Sequence, residues 1–398
     1  MEFRVNAKCK MQNAKCRSRV LRFAFCILHF AFAGCAIAPY SRIDQLTDTR
    51  AVWAIDVEDD SGRVLYAQNA HKLMVPASNR KLFSAALASE CLGFDHQFTT
   101  ELWRDGDDLV LRGGGDPSFG GRYYASPGDA FAPMLAAVHA RGITHVHDVV
   151  ADVSLFDRQT IPPSWKVGNL PYDYSAPIDA ITYHENAIGD DAIPDPALHA
   201  ARALRDLLVF DGITVDGDVR LGVAKGERIA AVASPPLSQL LTTMLKNSQN
   251  LYAETLFKNV GNGYYVAAID TERRFVNEIG IDPHDIRFLA GSGLSPDDLV
   301  APAAIVKLLR WMNAPERRGA WWSLLATPNQ EGTLHHRLTE LEPRLRGKTG
   351  TLEGVSALSG ILAMPRGGYR YFSIIVDHNT AADVNNTIDK ITRLIATN

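Results

Sequence analysis

Pro76-Ala77-Ser78-Asn79-Arg80-Lys81 opens an apolar run, Leu82, Phe83, Ala86 and Leu87, that closes at Leu92-Gly93. Proline near the start and glycine just past the end predict a helix. Ser78 falls in its first turn. Lys81 lies on the same face three residues later, so its amine reaches the Ser78 hydroxyl. The positive end of the helix dipole also favours an alkoxide-like Ser78. Taken alone, the stretch reads more simply as a serine cap followed by a solvated lysine.

Two later segments change that reading. Ser248-Gln249-Asn250 lies between two runs of helical spacing. Leu237, Leu240, Leu241, Met244 and Leu245 come before it, and Leu251, Ala253, Leu256 and Phe257 after it. Lys348-Thr349-Gly350-Thr351 precedes Val355, Ala357 and Leu358, and is expected at a strand edge. Backbone N–H groups there would face a substrate carbonyl, and Gly350 would let another backbone approach closely. S-x-x-K, S-x-N and K-T-G each occur once, in that order, and together they are the signature of serine β-lactamases and penicillin-binding proteins. Each alone has a bland reading, a helix-loop cap for S-x-N and a surface turn for K-T-G.

The 398 residues suggest two or more domains, and 46% hydrophobic residues are ample for real cores. Residues 1–38 hold seven Lys or Arg against Glu2 alone, a net of +6, so the remainder carries −10 of the total −4. An acidic body without a basic stripe argues against nucleic acid as a partner. The basic start and the apolar run from Phe23 to Ala38 read as a secretory leader, residues 1–38. Two processing readings compete, Ala36-Ile37-Ala38 as a simple export site and Phe32-Ala33-Gly34-Cys35 as a lipobox with a lipid anchor at Cys35; simple export is favoured. The leader repeats Asn-Ala-Lys-Cys and Phe-Ala-Phe at period seven, which points to Met11 as an alternative start. The body keeps only Cys91, expected to be a small core residue.

Ser78 and Ser248 are 170 residues apart, Ser248 and Lys348 only 100. The longer gap has room for an inserted domain. The expected organisation is α+β: an antiparallel sheet with helices packed on it, built from residues 46–93 plus 236–398 and interrupted by an α/β accessory domain over 94–235. No cofactor is expected. Neither His145-Val146-His147 nor His335-His336 belongs to an H-E-x-x-H motif, and no metal site is expected. Gly113-Gly114-Gly115 lacks the spacing of a phosphate loop and reads as a tight turn.

The chain resembles the D-alanyl-D-alanine carboxypeptidase/endopeptidase family, the class C low-molecular-mass penicillin-binding proteins of the penicillin-binding protein 4 type. The likeness covers nearly everything after the leader. Beyond the three motifs it rests on Gly113-Gly114-Gly115-Asp116-Pro117, Tyr174-Ser175-Ala176-Pro177, Asn250-Leu251-Tyr252-Ala253-Glu254, Gly291-Ser292-Gly293-Leu294-Ser295 and Gly332-Thr333-Leu334. The resemblance implies a serine β-lactamase/DD-peptidase (transpeptidase-like) fold and a periplasmic hydrolase acting on peptidoglycan peptides, with β-lactams as covalent inhibitors. It implies Ser78 as nucleophile, Lys81 as base, Ser248 and Asn250 in proton transfer and positioning, and Lys348, Thr349, Gly350 and Thr351 on the substrate. Three departures stand out: Arg80 puts a second cation beside Lys81, Gln249 fills an often acidic position, and Ala290 replaces a usual Asp. The alternatives are a β-lactamase-like hydrolase, which would need a deacylating Glu in an E-x-x-L-N loop that is absent here, and a non-catalytic peptidoglycan-binding protein on the same scaffold.

Overall fold

The structure is a computed structural model that describes residues 40–47, 50–162, 164–379 and 383–397. The leader and its two processing sites lie outside the described residues. The chain divides into two bodies, Met1–Leu46 with Asn398, and Thr47–Thr397. In the first, Ile43–Leu46 is a single helical turn that begins where the Ile43 N–H donates to the Tyr40 carbonyl at 2.9 Å.

The main sheet of the second body has five strands in the order Leu345–Leu352, Val355–Ala363, Tyr369–Asp377, Val52–Asp59 and Val64–Gln68. Every neighbouring pair is antiparallel. The central strands are nearly continuous runs of buried residues because helices cover both faces. Pro302–Met312 packs on Tyr369–Asp377 and Val52–Asp59, and Val384–Thr397 packs on Val355–Ala363.

Residues 99–233 hold a second five-stranded sheet, ordered Val219–Leu221, Val149–Asp152, Asp108–Arg112, Thr99–Asp105 and Glu227–Ala233. It is mixed: the first three strands run parallel and the last two pair antiparallel. Pro196–Phe210 packs against Val149–Asp152, and Ala132–Ala140 against Glu227–Ala233. The two sheets share one apolar core that runs from Leu102, Leu111 and Val149 through Leu87 and Leu240 to Ala357 and Ile375.

The helix expected after Ser78 begins three residues late. Ala77–Arg80 is a 3-10 turn, and the α-helix proper is Lys81–Leu92, ending at Gly93 with φ 84°. Ala77 sits at φ 45°, and that left-handed residue tightens the entry. A 3-10 turn eclipses side chains three apart, which stacks Lys81 on Ser78. Cys91 was expected in the core and is exposed, because the last turn of this helix rises out of the apolar interface.

Arg80 does not stand beside Lys81 as a free second cation. It is fully buried, forks onto Glu272 at 2.8 and 2.9 Å, and donates through Nε to the Ala290 carbonyl at 2.8 Å. Its guanidinium lies 4.0 Å from the Phe288 ring centroid and 5.0 Å from that of Phe257. Paired on all sides, it anchors the Ser78 turn to the Tyr265–Glu278 helix. Removing one partner of a buried pair leaves an uncompensated charge. Glu272→Gln is expected to lower the unfolding free energy by about 3–5 kcal/mol, measured by chemical denaturation.

Candidate active site

Lys81 has no exposed surface and needs partners for its amine. Nζ donates to Ser78 Oγ at 2.9 Å, to Asn250 Oδ1 at 2.6 Å and to the Ser292 carbonyl at 2.7 Å. These acceptors come from three segments far apart in sequence. Burial, then the neighbouring Lys348 charge, hold the Lys81 pKa well below that of a free lysine, with Glu254 pulling the other way. The amine therefore has access to its neutral form.

Lys348 is equally buried, on the edge strand Leu345–Leu352. Its Nζ donates to Ser248 Oγ at 2.9 Å and to the Thr349 carbonyl at 2.8 Å, and burial lowers its pKa to about 7. Ser248 sits at φ 64° in the turn between Leu237–Lys246 and Asn250–Val260. Asn250 opens the second helix, and its Nδ2 donates to the Tyr174 carbonyl at 2.7 Å. That bond turns Oδ1 toward Lys81.

Glycine makes the convergence sterically feasible. A Cβ on Gly350 would lie 2.8 Å from the Pro76 carbonyl oxygen and 3.2 Å from the Ser78 nitrogen. One on Gly293, at φ 80°, would lie 1.9 Å from the Ala77 carbonyl oxygen. The Ser78 turn is thus pressed between the edge strand and the 291–295 loop.

A cleft of about 660 Å³ opens over this centre, lined by Ser78, Ser248, Asn250 and Thr351 among others. Lys81, Lys348, Thr349 and Gly350 lie buried behind its wall. Strand alternation sends Thr349 to the opposite face from Lys348 and Gly350. Among the described residues no cluster of three His, Cys, Asp or Glu side chains is arranged to hold a metal ion. His145 and His147 do point the same way, but onto Asp216, at 2.9 and 2.8 Å.

Residues 41–194 and 190–398 match the model of the D-Ala-D-Ala carboxypeptidase 3 (S13) family. The chain belongs to that family. A D-alanyl-D-alanine carboxypeptidase of Actinomadura sp. (strain R39) is 29% identical over 416 residues, 80% of this chain and 76% of the relative. Penicillin binding protein 4 from Haemophilus influenzae superposes with a TM-score of 0.80 at 20% identity, over 89% of this chain and 97% of that one, and has also been solved with a β-lactam. A peptidoglycan endopeptidase from Bdellovibrio bacteriovorus superposes with a TM-score of 0.58 at 15% identity, over 87% and 92%. The fold is the serine DD-peptidase (transpeptidase-like) one.

Within this S13 member, the motif reading missed the groups that support the motifs. Glu254, fully buried on the Asn250–Val260 helix, accepts from the Gly291 and Ser292 N–H groups at 2.8 Å each. It thereby fixes the loop whose Ser292 carbonyl holds Lys81. Ser84 adds a bond to the Gly291 carbonyl at 2.6 Å. A carboxylate inside the otherwise apolar run Leu251, Ala253, Leu256 and Phe257 was the available signal. Glu254→Gln turns one acceptor into a donor facing an N–H group. It is expected to cost about 1–3 kcal/mol of stability and to slow any reaction at Ser78, read by denaturation and by Ser78 labelling.

Proposed function

We propose that this chain is a serine D-Ala-D-Ala carboxypeptidase or DD-endopeptidase that opens peptidoglycan peptides through an acyl-enzyme on Ser78. The observation that carries it is the buried Lys81 amine, hydrogen-bonded to Ser78 Oγ at 2.9 Å and with a depressed pKa. A neutral amine at that distance can take the hydroxyl proton as the oxygen attacks. The N–H groups of Ser78 and Thr351 would hold the developing oxyanion, an effect worth about 3–4 kcal/mol per donor in other acyl-transfer enzymes. The proton passes through Ser248 to the leaving amine as the C–N bond breaks. Water then hydrolyses the Ser78 ester. Lys348 and Thr349 bind the terminal carboxylate, and Asn250 holds both Lys81 and the substrate amide.

Membership of the S13 family and the names of its relatives support peptidoglycan as substrate and β-lactams as covalent inhibitors. Residues 94–235 are read as an inserted accessory domain. Export through the leader would place the enzyme in the periplasm, with a lipid anchor at Cys35 as the alternative. No helix among the described residues is long and apolar enough to cross a membrane.

Incubation with a β-lactam and intact-mass measurement tests the scheme. The wild type gains one acyl adduct that is released slowly, and Ser78→Ala gains none. An unlabelled wild type, or an adduct that survives Ser78→Ala, defeats it. Rapid release would favour the β-lactamase reading.

The Lys348 pKa adds a pH signature. Its ammonium form attracts a carboxylate, and that form is lost as pH rises through about 7. KM for a peptide ending in free D-Ala is therefore expected to climb above that pH, whereas the C-terminally amidated peptide shows no such climb. Steady-state kinetics on the two peptides checks this.

A further inference from the structure

The turn carrying Ser248 and Asn250 is half-buried. Gln249 and Leu251 border a second cavity of about 370 Å³ that also touches Gly121, Arg122, Asp173 and Glu185. Ser248 is in the left-handed region, a costly conformation for a residue with a side chain. Core packing holds the inner faces of the two flanking helices, and polar contacts add to it on the side of this cavity.

The holding contacts come from residues 115–124 and 184–186. Tyr123 Oη lies 2.6 Å from Thr243 Oγ1 and donates to the Gln239 carbonyl at 3.1 Å, gripping the Leu237–Lys246 helix that leads into the turn. Arg122 forks onto Glu185 at 2.6 and 2.8 Å, and Glu185 Oε1 accepts from Tyr252 Oη at 3.1 Å. Tyr252 is fully buried and lies two residues beyond Asn250 on the helix that leaves the turn. The Gly115 carbonyl accepts from Asn259 Nδ2 at 2.9 Å farther along the same helix. Both helices that flank the turn are thus tied to one loop.

The Glu185 side of this tie is built at a cost. His184, Glu185 and Asn186 have φ of 54°, 51° and 55°, three successive left-handed residues without a glycine. Each is a costly conformation for a residue with a side chain, so the run persists only where its surroundings impose it. Asn186 imposes it, donating to the Pro177 carbonyl at 2.8 Å and accepting from the Tyr183 N–H at 3.0 Å. The result is a carboxylate wedged between Arg122 and Tyr252. A Cβ on Gly121 would lie 2.8 Å from Glu185 Cγ, so glycine is needed for the wedge to close.

We propose that Tyr123, Arg122 and Glu185 are positioning residues that clamp the helices on either side of Ser248-Gln249-Asn250 and so set Asn250 and Ser248 against the two buried lysines. The insertion then acts directly on the acyl-transfer step, in addition to any contact it makes with the cell wall. This rests on the reading of Ser78 as nucleophile.

Glu185→Gln breaks the charged fork, and Tyr123→Phe removes only a hydroxyl, which keeps the test available should the first variant fold poorly. Stopped-flow acylation by a β-lactam separates the binding constant from the acylation rate constant. Rates are scaled to folded protein by circular dichroism, and unfolding midpoints are recorded alongside. The expected result is an acylation rate constant about ten- to a hundredfold lower, with the binding constant near wild type, and a smaller loss in Arg122→Lys, which keeps the charge without the fork. Variants that acylate at the wild-type rate, or that lose rate only in proportion to unfolded protein, overturn the clamp. A wild type that never acylates overturns the nucleophile reading instead, so the two failures are distinguishable.

Discussion

An amine with no access to water must find its hydrogen-bond acceptors inside the protein, and Lys81 finds three. One is its neighbour Ser78, one opens a helix 169 residues away, and one is a carbonyl in a loop beyond 290. Displacing any of these segments leaves a buried polar group unsatisfied, at a cost comparable to a sizeable share of a domain's net stability. Convergence of the three segments is therefore enforced by solvation as well as by packing. The same burial that demands the partners also lowers the lysine's pKa. Structural necessity and chemical competence arise here from one cause.

Around that centre, charged groups are sorted by whether they are fully neutralised. Arg80 meets Glu272, a carbonyl and two aromatic faces, and is spent on architecture. Glu254 meets two backbone N–H groups, and its charge fixes a loop. Lys348 donates to a hydroxyl and a carbonyl, and among the described residues it makes no hydrogen bond to a carboxylate. A buried cation with neutral partners is poised to take an anionic ligand.

What could be read from sequence were features set by short-range geometry. The three-residue spacing of Ser78 and Lys81, the polar break at 248–250 between two apolar helices, and the edge position of 348–351 follow from periodicity and turn chemistry. The sheet-and-helix architecture followed too. What could not be read were pairings across the chain. Arg80 and Glu272 are separated by 192 residues, and nothing near either announces the other. Cys91 misled because an apolar residue near a helix end can face out as easily as in. The 3-10 turn at Ala77 depends on contact with Gly293 and Gly350, both remote in sequence. The left-handed run at 184–186 has no glycine to mark it.

The apolar core common to both sheets has a consequence for how such a chain can diversify. Leu102 and Val149 of the one sheet belong to the same packed mass as Ala357 and Ile375 of the other. A segment that shares its core in this way is expected to melt together with the strands it packs on, because parting them would open the common interior to water. Variation is then confined to its outer turns, and the scaffold underneath is inherited whole.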